Sequence, residues 1–104
     1  MIVVIDKKVY DVLDTFYEQS RRLHCTLTEE TCRAKIDRLE AAMYNFQRYV
    51  HSFSKTPVRE DWKANGYYEM ETENFHFAYR VYVLPNGEEV LRYHDVVHSL
   101  LNHN

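Results

Sequence analysis

The sequence predicts an α+β fold: an N-terminal strand, an antiparallel helical hairpin, then an antiparallel three-stranded meander, in the order β-α-α-β-β-β. Three observations carry this prediction. Apolar residues recur at steps of three and four through the first half of the chain. From residue 67 onward they alternate with polar ones instead. The two glycines and two prolines are confined to the second half, at Pro57, Gly66, Pro85 and Gly87, where breaks between elements are needed. With 104 residues, the chain is expected to form one domain over 1–104.

Each element follows from its residues. Ile2 to Ile5 is a short apolar strand, and Asp6 stands where it can cap a helix starting near Lys7. Val9, Val12, Leu13, Phe16, Tyr17 and Leu23 form one face of that helix, leaving Asp11, Asp14, Glu18, Arg21 and Arg22 for water. Thr26 with Glu29 makes a capping box, and Thr28 is a second cap candidate. The next helix is predicted from about Glu29 to Val50. Cys32, Ile36, Leu39, Met43, Phe46 and Val50 form its seam, which the short link places against the first helix. His51 to Asn65 reads as a polar link.

The stretch FHFAYRVYVLPNGEEVLRYHD reads as a hairpin. Proline lacks the N–H that a closing pair needs, so the loop is predicted as Pro85-Asn86-Gly87, with Gly87 left-handed. Leu84 then pairs with Glu88, Tyr82 with Val90, Arg80 with Arg92, Tyr79 with Tyr93 and Ala78 with His94. Phe75, Phe77, Tyr79, Val81, Val83, Leu91 and Tyr93 share the face that packs on the helices. A tight turn at Glu73-Asn74 sets Glu71 opposite His76 and Tyr67 opposite Arg80. The other face gathers His76, Arg80, Arg92, His94, Glu69, Glu71, Tyr67 and Tyr82.

Composition excludes some classes. No segment approaches the roughly 20 apolar residues of a membrane-spanning helix. Net charge is −3 and pI about 6.0, so nucleic-acid binding would need a local basic patch. The four-residue apolar start is too short for the core of a signal peptide, and Cys25 and Cys32 are read as reduced thiols; the expectation is a cytoplasmic protein.

The polar face admits two readings. Two arginines and two histidines suit a phosphate-bearing ligand, because guanidinium groups hold phosphate and imidazole moves protons near neutral pH. The plainer reading, favoured by composition, is a solvated sheet face with cross-strand Glu–His and Arg–Tyr pairs. His94 and His98 are four apart, with His103 following, but no Cys or carboxylate completes a zinc motif.

The element order and the stretch HFAYRVYVLPNGEEVLRYHD resemble the RelE/ParE toxin superfamily, the toxins of bacterial type II toxin–antitoxin pairs. The resemblance covers nearly the whole chain. LRYHD is similar to the Arg-Tyr-His ending of the YoeB branch, whose members cut messenger RNA on the ribosome. It implies a RelE/ParE-like fold, an antitoxin partner, mRNA on the ribosome as substrate, and endoribonuclease chemistry without metal or cofactor. By that match His94 stands at the general acid/base histidine and Arg92 at the preceding strand arginine. His76 occupies the place of the arginine on the scissile phosphate, and Arg80, four residues on, is its substitute. Glu60 falls near the family's glutamate base. Asp95 replaces a terminal tyrosine, and Glu69 and Glu71 stand where ribosome-dependent members carry Lys or Arg, so reduced cleavage is expected. Other readings are a family member acting by protein binding alone, such as a gyrase-directed toxin, and a non-toxic scaffold. Past His94, Val96, Val97, Leu100 and Leu101 form an apolar tail with room for a short helix.

Overall fold

The computed structural model describes residues 1–102. Strand β1 (Ile2–Ile5) leads into helix α1 (Lys7–Leu23), and a short turn leads into α2 (Glu29–Asn45). Short 3-10 turns follow at Phe46–Arg48 and Val50–Ser52, then a small helix, α3 (Glu60–Ala64). Strands β2 (Tyr68–Thr72), β3 (Phe75–Val83) and β4 (Glu89–His98) complete the sheet, followed by a 3-10 turn at Ser99–Leu101. The architecture is the α+β layout expected from the sequence.

The four-strand sheet has the order β1-β4-β3-β2. The meander is antiparallel, and β1 adds to it in parallel along β4, from Ile2 opposite Val90 to Ile5 opposite Tyr93. The chain's first residues thus lie beside its last strand.

Thr28, rather than Thr26, caps α2 by accepting the Thr31 N–H at 3.1 Å. The helix ends five residues earlier than the apolar spacing predicted. Its remaining seam residues, Phe46 and Val50, are carried in 3-10 turns and are still buried. The phenol of Tyr93 donates to the Met43 carbonyl at 2.7 Å, which satisfies an acceptor left open in the last helical turn. Val9, Leu13, Leu39, Met43, Phe77, Leu91 and Tyr93 are fully enclosed between helices and sheet. Tyr10 joins the helices by donating to Glu40 at 2.7 Å.

The hairpin loop has the predicted form. Leu84 N–H donates to Glu88 O at 2.8 Å, Gly87 N–H donates to Leu84 O at 2.9 Å, and Gly87 has φ +86°. Glu73 and Asn74 both have positive φ, as a tight hairpin turn requires, and Glu71 pairs with His76.

Two further expectations are corrected. Register holds from Val83–Glu89 to Tyr79–Tyr93 and then shifts at a bulge, so that Ala78 faces Asp95 instead of His94. The apolar tail does not turn helical at once: β4 runs on to His98, because Val96 continues the core stripe beside Phe77.

Candidate functional site

The bulge builds the site. Tyr93 and Val96 both point into the core. The two residues between them, His94 and Asp95, are therefore both turned to the opposite face.

That face is not an open solvated surface. Trp62 of α3 is 1% exposed and covers it, donating from Nε1 to Asp95 Oδ2 at 3.0 Å. Asp95 Oδ2 also meets Lys8 Nζ at 3.2 Å. The link read as polar therefore lays a small helix over the sheet, because its largest apolar residue, Trp62, is buried there.

His94 lies beside this cover. Its ring stacks on Tyr67, with centroids 4.7 Å apart and planes 8° from parallel. Nδ1 is 3.2 Å from Asp6 Oδ2, and Nε2 is 2.9 Å from the Tyr82 hydroxyl. A carboxylate only accepts, so Nδ1 carries the proton and Nε2 accepts from Tyr82. Burial holds the His94 pKa below the ordinary imidazole value; Asp6 opposes this, and the charges of Arg92 and Arg80 add to it. The ring is therefore neutral near pH 7, as a proton acceptor must be.

Asp6 also accepts from Arg92 Nε at 2.7 Å. It stands at the cap position of α1 but makes no side-chain cap bond, spending both oxygens on β4 instead. Arg80 is exposed, with its guanidinium 5.3 Å from the Tyr82 ring centre. No carboxylate pairs with Arg80 among the described residues.

Of the residues singled out from the sequence, the structure groups His94, Arg92 and Arg80, with Tyr67 and Tyr82. His76 joins a different group, at the Glu69 and Glu71 end of β2 and β3. Glu69 is fully buried and paired with Lys55 at 2.9 Å and His76 at 2.9 Å, so it does not confront a ligand at the surface. Glu60 opens α3 and pairs with Lys63 at 3.2 Å. His98 lies on β4 with its ring against Phe16, so the spacing from His94 is not helical; His103 lies outside the described residues.

Sequence reasoning missed Asp6 as a site residue, because the parallel β1–β4 pairing that delivers it has no local signature. Trp62 lies in the stretch read as a polar link, which carries no local signal for its burial. Asp6, Arg92, His94, Tyr82 and Arg80 together offer a proton acceptor, a hydroxyl relay and two cations on one surface. No protein-family model, no curated protein and no solved structure matches this chain.

Proposed function

We propose that this protein is a RelE/ParE-like toxin that cleaves RNA by attack of a 2′-hydroxyl on the adjacent phosphate. It is held in check by a companion antitoxin, and messenger RNA on the ribosome is its substrate. The observation that carries the reading is the Asp6–His94–Tyr82 chain with Arg80 beside it, which pairs with no carboxylate among the described residues.

The chemistry follows from the donors and acceptors. His94 Nε2 is occupied by the Tyr82 O–H, so the Tyr82 oxygen is the group that meets the substrate. It takes the 2′-hydroxyl proton as its own proton passes to Nε2, and Asp6 stabilises the resulting imidazolium. Arg80 faces the developing phosphorane charge. Arg92 contributes less, since Asp6 already neutralises it. The imidazolium then returns a proton, through Tyr82, toward the leaving oxygen. None of these steps calls on a metal ion. A domain of net charge −3 with few free cations at the site favours weak cleavage.

A second reading, that the protein acts by binding alone, has its own support. A groove of about 360 Å³ runs between α1 and β4, lined by Val12, Phe16, Phe75, Val96, Val97 and Leu101 among others. β1 pairs only as far as Tyr93, and among the described residues no strand pairs with the β4 edge beyond it, which suits an added strand. We assign this groove to the antitoxin in both readings.

Inducible expression with mapping of messenger ends and growth separates the readings. Cleavage lost in both His94→Ala and Tyr82→Phe supports the enzyme. Growth arrest without new ends that persists in His94→Ala supports the binding protein. Strong cleavage surviving His94→Ala overturns the mechanism.

A further inference from the structure

A second polar cluster sits at the turn end of β2 and β3. Glu71 pairs with His76 and Glu69 with Ala78, so both carboxylates and the imidazole share one face. Glu69 and His76 are buried, whereas Glu71 is half exposed. His76 Nδ1 is 2.9 Å from Glu69 Oε2 and 3.6 Å from Glu71 Oε2, and one ligand atom from each of the three residues falls within 4.8 Å of the others. Ligands at zinc-like bond lengths in a tetrahedral shell lie about 3.3 Å apart. The two separations bracket that edge.

The imidazole is also oriented for ligation. Ser99 directs its Oγ–H to the Asn74 carbonyl at 2.9 Å, which can only accept. Ser99 Oγ is then left to accept from His76 Nε2 at 2.9 Å. Nε2 therefore donates outward to Ser99 while Nδ1 faces the carboxylates, as the outer hydrogen bond of a metal-binding histidine requires; without metal Nδ1–H donates to Glu69, and an incoming ion takes the place of that proton. The carboxylates already attract a cation: Lys55 Nζ lies 2.9 Å from Glu69 and 3.5 Å from Glu71. Lys55 belongs to an irregular segment and its side chain is 46% exposed, so it is free to swing into water. Close by, Asn102 Oδ1 is buried with no hydrogen-bond partner among the described residues, while its Nδ2 is 3.5 Å from Glu69 Oε1.

We propose that Glu69, Glu71 and His76 Nδ1 bind a divalent transition-metal ion, best fitted by Zn²⁺, which displaces the Lys55 ammonium and recruits Asn102 Oδ1 as a fourth ligand. Two carboxylates and an imidazole match the charge and donor preference of such an ion. The site would clamp β2, β3 and the C-terminal turn together. It is separate from the proposed RNA chemistry and independent of it.

The test uses the full chain, stripped by chelator, and titrated with Zn²⁺ by calorimetry and with Co²⁺ by visible absorption. The expected result is one saturable equivalent and a rise in Tm on binding. Glu71→Gln alters a half-exposed ligand with little risk to folding, and should weaken binding about tenfold or more. Lys55→Met removes the competing ammonium and should tighten it. Three results would overturn the site: no saturable binding in either the wild type or Lys55→Met, affinity unchanged in folded Glu71→Gln, or binding abolished by His98→Ala.

Discussion

Trp62 should anchor α3 against the sheet, and its removal should cost much of the stability of the fold. The helix has five residues, too few to persist without tertiary support. The indole is 1% exposed and donates to Asp95 at 3.0 Å. Truncating so large a buried side chain costs about 3–5 kcal/mol. That loss is a large share of the roughly 5–15 kcal/mol by which domains are stable. Trp62→Phe keeps most of the buried area and loses the hydrogen bond to a charged acceptor, worth about 1.5–3 kcal/mol. Asp95 retains Lys8 and the Val96 N–H at 2.8 Å, so the lower end applies. Urea unfolding followed by circular dichroism measures both variants. Trp62 is the chain's one tryptophan, so wild-type fluorescence reports this contact directly. Trp62→Ala within about 1 kcal/mol of wild type, or an emission maximum typical of a water-exposed indole, would refute the covered face.

Further outcomes follow from the same packing and electrostatics. Leu39→Ala empties a fully buried position on α2 and should lower stability by about 2–5 kcal/mol, read from the denaturation midpoint. At Gly87 a Cβ would meet nothing within 4 Å, so Gly87→Val should cost only the strain of φ +86°, about 1–3 kcal/mol; an unchanged midpoint would contradict the loop geometry. Burial alone would raise the Glu69 carboxyl, but hydrogen bonds from Lys55 and His76 outweigh it and hold its pKa below the ordinary range. Its contribution is then complete above about pH 4.3 and lost as pH falls through the lower folded value. The depressed His94 pKa acts in the same direction, because neutral His94 is favoured by folding and stability declines as pH falls below about 6.5. Urea midpoints should therefore fall on acidification; a midpoint that rises between pH 7 and pH 5 would count against His94, and one that rises below about pH 4 would count against Glu69.

Much of the fold was legible because it rests on local periodicity and turn chemistry. The four-three spacing of Ile36, Leu39 and Met43 identified the buried seam, and the missing N–H of Pro85 set the hairpin loop and its register as far as Tyr79–Tyr93. That register in turn placed Arg80 beside Arg92 and Glu71 beside His76. Only the tertiary structure decided the rest. The bulge after Tyr93 turned His94 and Asp95 to one face, and it responds to the need to keep Val96 in the core, which is a global packing demand. Asp6 reaches His94 across 88 residues of sequence, because β1 pairs in parallel with a strand at the opposite end of the chain. Lys55 and Trp62 come from the connection between α2 and β2, whose path is fixed by burial of the indole and pairing of Glu69. Periodicity reads which face a side chain occupies, but partners brought by long-range pairing and buried charge are set by the whole fold.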